Sequence, residues 1–80
     1  MKVEELLKHI AKALEVNESE ITIESSSQTV DVWDSLGHIT ILSAIDDLTN
    51  GASAELADLT QVSSVKEIVK VLSENGLLEE

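Results

Sequence analysis

The chain has 80 residues, no cysteine, one aromatic residue and a net charge of -11. That length fits one domain, spanning 1–80, whose core supplies a stability of only about 3–5 kcal/mol. The missing cysteines exclude a disulfide staple and a thiolate metal site, and the acidity argues against nucleic acid and anionic membrane as partners.

All five cationic side chains lie near the ends: Lys2, Lys8, Lys12, Lys66 and Lys70. Between Ala13 and Val65 there is no Lys or Arg, while ten acids occupy that span. The plain reading is a solvated acidic surface that keeps the protein soluble; the sharper one is a surface that attracts basic partners. The start Met1-Lys2-Val3-Glu4-Glu5 has acids where the apolar part of a signal peptide would begin. No run approaches the ~20 apolar residues of a membrane span. A soluble, cytoplasmic monomer is expected.

Val3, Leu6, Leu7, Ile10 and Leu14 recur at helical spacing and predict a first helix that stops near Asn17. Glu4 precedes Lys8 by four residues, the favourable order for an ion pair. His9, beside the apolar stripe, reads as a surface histidine.

Residues 17–31 form a long connection. Ile21 and Ile23 alternate with polar neighbours, but no second strand exists to pair with them, so they read as anchors of a loop. Ser25 to Thr29 is polar and reads as the most mobile part. Val30, Val32 and Trp33 then return the chain to the core, with Trp33 as an apolar plug under the loop.

A second helix is expected from Ser35 to Thr49, with Asp34 as its N-cap. Its apolar pattern is Leu36, Ile39, Leu42 and Ile45, with Ile41 and Leu48 beside it. Gly37 near its start costs roughly 1 kcal/mol relative to alanine. Either the site tolerates this near a terminus, or something approaches closely there. Asn50-Gly51 ends the helix.

Ala54, Leu56, Ala57 and Leu59 fit a short third helix of one or two turns, with Ser53 as a cap. Ser64-Val65-Lys66-Glu67 reads as a capping box opening a fourth, with the stripe Val65, Ile68, Val69 and Leu72. Asn75-Gly76 closes it, Leu77 and Leu78 fold back, and Glu79-Glu80 fray.

Ser35 therefore stands where loop becomes helix, its hydroxyl facing solvent. A phosphate there would meet the positive end of the helix dipole. At these residues the chain resembles the acyl carrier proteins. Asp34-Ser35-Leu36 at a helix start, midway along a small acidic chain, is similar to that family's attachment motif. The longer run from Trp33 to His38 is similar to discrete carriers of specialised acyl pathways.

The resemblance implies an all-α bundle of four helices, three main and one short, with a long first loop. It implies that Ser35 carries 4′-phosphopantetheine, received from coenzyme A through a magnesium-dependent phosphopantetheinyl transferase. The protein would then do no chemistry itself. It would hold acyl groups as thioesters for the acyl-loading, condensing and acyl-transfer enzymes of fatty-acid, polyketide or other acyl biosynthesis. Matched position by position, the second helix offers Asp34, Leu36, Ala44, Asp46 and Asp47 as contacts for basic docking surfaces.

Ile39, Leu42, Ile45, Leu59, Val62 and Ile68 would line a shelter for the acyl chain. Several positions depart from the fatty-acid carriers. Gly37 and Thr40 stand where acids are common, and Ser43 where methionine is. Leu48 and Ala54 stand nearest an expected aromatic and proline.

Ser35 and His38 share a helix face, but no orienting acid or Gly-x-Ser-x-Gly elbow makes them a hydrolase. Asp46-x-Leu48-x-Asn50-Gly51 has Leu48 and Ala57 where a calcium loop needs ligands, so no metal site is expected. Two other readings stay open: a peptidyl or aminoacyl carrier, and an acidic helical interaction domain without a prosthetic group.

Overall fold

The computed structural model describes residues 2–78 and is all-α: three α-helices joined by short 3₁₀ turns, with no strand among the described residues. Helix α1 spans Val3–Leu14, α2 Ser35–Leu48 and α3 Val65–Glu74. The principal axes measure 28 × 23 × 18 Å. No described helix is long and apolar enough to cross a membrane.

Helix α1 ends where the sequence places its last apolar residue, but the stop is Glu15, not Asn17. Glu15 adopts the left-handed conformation at φ 58°, and the N–H of Val16 reaches back to the Ala11 carbonyl at 3.0 Å. That is the Schellman closure, here built on a residue other than glycine. Asn17 instead opens a 3₁₀ turn over Glu18–Glu20, its N–H held by Glu20 Oε2 at 3.0 Å. The expected Glu4–Lys8 pair does not form. Among the described residues the ion pair is Lys66–Glu24 at 3.0 Å, both side chains largely exposed.

The serine run of the long connection is stitched down rather than left loose. Ser27 N–H donates to Ser63 O at 2.8 Å, and Val65 N–H to Ser25 O at 2.9 Å. Ser25 is buried, and its Oγ accepts from the Thr22 N–H at 2.9 Å. The backbone groups of this polar loop thus satisfy one another and the start of α3. Ile21 anchors the loop in the core as expected, while Ile23 lies on the surface.

Helix α2 presents a different face to the core than its leucine pattern implies. Ile41 and Ile45 are buried, with His38 and Leu48 half-buried on the same stripe. Leu36 and Ile39 are 72% and 62% exposed. Two apolar stripes run along this helix, and the packing of α1 and the 3₁₀ turns decides which one is covered. Ile39 is therefore not part of an interior lining.

The predicted third helix is replaced by two single 3₁₀ turns, Ala52–Glu55 and Ala57–Thr60, broken at Leu56 with ψ 85°. The cap residue of the first is Gly51 at φ 88°, not Ser53, which is buried. Thr49 sets this geometry: its Oγ donates to Ile45 O at 2.9 Å and accepts from Ser53 N–H at 3.1 Å. Leu59 drops into the core and Leu56 packs against it.

Ser64 caps α3, accepting from Glu67 N–H at 3.2 Å. The Glu67 carboxylate reaches the Ser63 N–H at 3.3 Å and the Ser64 hydroxyl at 3.0 Å, so the box closes one residue earlier than the motif implies. These bonds lower the Glu67 pKa from its ordinary value of 4.5; the Ser63 backbone N–H contributes most, then the Ser64 hydroxyl. Leu78 is buried and Leu77 half-buried against the core, as expected of a tail that folds back. The expected fraying of Glu79-Glu80 lies outside the described residues.

Candidate functional site at the start of α2

The site begins with Asp34. Its extended backbone and carboxylate make it the N-cap, with Oδ1 accepting from Gly37 N–H at 2.8 Å. Ser35 follows as the first helical residue and is exposed. The N–H groups of Ser35 and Leu36 have no intrahelical partners at this position. Apart from the cap there is no acid in the first turn. A negatively charged substituent on Ser35 Oγ would meet those N–H groups and the dipole, with the like charge of the Asp34 cap beside it.

Gly37 resolves into close approach, made by the protein's own loop. A Cβ there would collide with the Val32 carbonyl oxygen and lie 3.1 Å from Leu14 Cδ2. The loop thus lies directly on the first turn of α2, which fixes where Ser35 emerges.

Trp33 is 3% exposed and plugs the loop as expected. It also holds His38, which the sequence does not single out as structural. The indole N–H donates to His38 Nδ1 at 3.2 Å, and the rings stack at 11° with centroids 6.3 Å apart. An indole can only donate, so Nδ1 is the unprotonated nitrogen and Nε2 carries the hydrogen. That Nε2–H donates to Leu59 O at 3.0 Å. Both ring nitrogens are engaged, leaving neither for the Ser35 hydroxyl. The signal for this role was the position of His38, three residues before Ile41 on the core stripe.

The other recognition candidates do not form one surface. Leu36 is fully presented beside Ser35, with Ile39 next to it. Ala44 and Asp47 line a groove between α1 and α2 together with His9, Lys12 and Thr40. Asp46 lies on the other flank, half-buried, in a cleft of about 320 Å³ between α2 and the 3₁₀ turns. Of the residues expected to shelter a chain, Leu42 and Leu59 line this cleft, while Ile45, Val62 and Ile68 are packed into the core. Among the described residues, no group of three or more His, Asp or Glu is placed to hold a metal ion.

Comparison with known proteins places no family, curated relative or solved structure beside this chain: no family model, no curated sequence and no solved structure matches it.

Proposed function

We propose that the protein is a discrete acyl carrier whose Ser35 receives 4′-phosphopantetheine from coenzyme A. The observation that carries this reading is the exposed serine at the first position of α2, capped by Asp34 and free of other first-turn acids. In the same proposal the three helices and the paired 3₁₀ turns are a variant of the four-helix carrier bundle, the turns standing for its short helix.

When bound, the group supplies a thiol on a long arm, on which acyl chains ride as thioesters. The chain's own residues attach and orient it. In the transfer, Ser35 Oγ forms the new bond to phosphorus. The pyrophosphate bond of coenzyme A breaks, adenosine 3′,5′-bisphosphate leaves, and the serine proton passes to a base of the transferase. The N-terminal N–H groups of α2 then face the phosphodiester charge. Asp34 holds the helix start, and the Val32–Gly37 contact holds the loop behind it. Exposed Leu36 and Ile39 offer apolar contact around the attachment point, inside an acidic field that steers basic partners. The protein itself catalyses nothing in this reading. A cytoplasmic setting, where coenzyme A is at hand, belongs to the same proposal.

The test is intact mass. Incubation with coenzyme A, magnesium and a promiscuous phosphopantetheinyl transferase should add one phosphopantetheinyl group, mapping to Ser35 and absent from Ser35→Ala. An unchanged mass would leave an acidic interaction domain as the better reading.

A further inference from the structure

The two histidines of the chain stand in opposite hydrogen-bond settings. His9 is exposed on α1, with Nδ1 2.8 Å from the Glu5 carbonyl oxygen. A carbonyl only accepts, so Nδ1 carries the hydrogen there and Nε2 can take a proton with that bond intact. In His38 the arrangement is reversed. Nε2–H donates to Leu59 O at 3.0 Å, and Nδ1 accepts from the Trp33 indole at 3.2 Å. The nitrogen open to a proton is the one that Trp33 needs as its acceptor.

A protonated His38 has two N–H groups and no acceptor. It keeps the Leu59 carbonyl and turns its second N–H against the indole N–H. The ring centroids stand 6.3 Å apart and the bond leaves from the indole edge, whose rim is positive, so the charged ring gains no cation–π contact in exchange. Around the pair, the loop and cap carry Asp31 and Asp34, and the 3₁₀ turns carry Glu55 and Asp58. The end of α1 adds Lys12 and Glu15, and α3 adds exposed Lys66, Glu67 and Lys70. Among the described residues, none of these carboxylates stands within ion-pair distance of His38. The acids favour a positive ring by charge and offer it no bond. Trp33 is 3% exposed, so its displaced N–H reaches water only by moving outward.

We infer that protonation of His38 releases Trp33 from under the loop, so that the cover behind the start of α2 opens in acid while the helices persist. The movement has bounds. The loop is tied to the start of α3 through Ser25 and Ser27, and Asp34 is held to the Gly37 N–H. The segment free to move is therefore Asp31 to Trp33. It includes Val32, whose carbonyl lies on Gly37 beside Ser35. The inference needs no prosthetic group and stands apart from the carrier reading.

Trp33 is the sole Trp, Tyr or Phe, so fluorescence reads it alone. Its emission, its indole N–H resonance and far-UV circular dichroism are followed on the full chain from about pH 8 to pH 5. An imidazole gains its proton in that range, about two units above a carboxylate. Wild type should show a red shift of several nanometres, a displaced indole signal, and amide shifts over 31–34 and at Gly37, with ellipticity unchanged. The His38 ring nitrogens should titrate at the same midpoint as the indole signal, a comparison that needs no variant. His9→Gln should behave as wild type. His38→Gln offers one acceptor and one donor but gains no proton, and should be flat. A flat wild type, unequal midpoints, or a transition that survives in His38→Gln would overturn the inference. A loss of intensity with no red shift and an unmoved indole signal would mean that the ring is charged in place. Ellipticity lost along with the red shift would mean that the bundle unfolds. Either result overturns the inference as well.

Discussion

Trp33 and His38 hold each other: the indole N–H donates to Nδ1 at 3.2 Å, and the histidine passes its own Nε2–H to the Leu59 carbonyl. One side chain thereby joins the loop before Ser35, the first turn of α2 and the second 3₁₀ turn. Replacing His38 with Ala strands a buried indole N–H and opens the Leu59 carbonyl. Each unsatisfied group costs about 1–3 kcal/mol. His38→Ala should therefore lower stability by roughly 2–4 kcal/mol, read from urea unfolding, and His38→Gln by less. A loss below about 0.5 kcal/mol, the usual range of a surface substitution, would show that the bridge carries no weight.

Gly37 gives a prediction whose sign decides between two accounts. In an open helix position, alanine would stabilise by about 1 kcal/mol relative to glycine. Here the added methyl would collide with the Val32 backbone oxygen, which is part of a loop tied down on both sides. Gly37→Ala should therefore destabilise, and by more than the propensity gain. Urea midpoints of the two proteins read the sign directly.

The three α-helices were legible because their apolar spacing and end signals agree. Val3 to Leu14 marks α1, Ser64 and Asn75-Gly76 bracket α3, and Asp34 and Asn50-Gly51 bracket α2. What was not legible depends on contacts between segments. Leu36/Ile39 and Ile41/Ile45 both recur at helical spacing, so the choice of the buried stripe belongs to the neighbours of α2. The region 52–60 has apolar residues at helical intervals, yet Thr49 captures the Ser53 N–H and the backbone turns at Leu56. Ser25 to Thr29 looks like free loop because its partners, Ser63 and Val65, lie almost forty residues on. At the candidate site, the helix start and Ser35 were readable, whereas the clash behind Gly37 and the bond from Trp33 to His38 were not.

Glu15 occupies the left-handed region at φ 58°, where a side chain costs about 1 kcal/mol or more. Glycine there removes that cost and one of the acids in a chain of net charge -11. Part of the gain is offset by the greater freedom of glycine in the unfolded chain. Glu15→Gly should still stabilise by roughly 0.5–1 kcal/mol, seen as a higher melting temperature. An unchanged or lower value would mean that the αL closure of α1 is not strained.

The carboxyl of Glu67 has a pH signature. Its folded pKa is lowered, by the Ser63 N–H first and the Ser64 hydroxyl next. A carboxylate of this kind adds stability that is fully present above its unfolded pKa and lost as pH falls through the folded one. Glu67→Gln cannot ionise, so its deficit against wild type should be constant from neutral pH to about pH 5 and shrink below that. Melting temperatures of both proteins across pH 3 to 7 test this. A deficit that grows on acidification would carry the wrong sign.

Asp46 and Asp47 are neighbours in sequence but not on the surface. Successive residues of an α-helix point about 100° apart. Asp46 turns toward the 3₁₀ turns with one oxygen sealed and unpaired, and Asp47 is exposed at the α1 groove beside Lys12. The same change should therefore do different things. Asp46→Asn removes an uncompensated charge and should raise stability by about 1 kcal/mol. Asp47→Asn should leave stability within about 0.5 kcal/mol of wild type, as for an ordinary surface change. If the proposed carrier function holds, its effect belongs to encounter: fewer negative charges would slow association with a basic entrance, and salt would screen the difference. For a cognate loading enzyme, Asp47→Asn should lower kcat/KM a few-fold at low salt and converge on wild type at high salt. Identical kcat/KM at low salt would move the recognition surface away from Asp47, toward the exposed Leu36 and Ile39 beside Ser35.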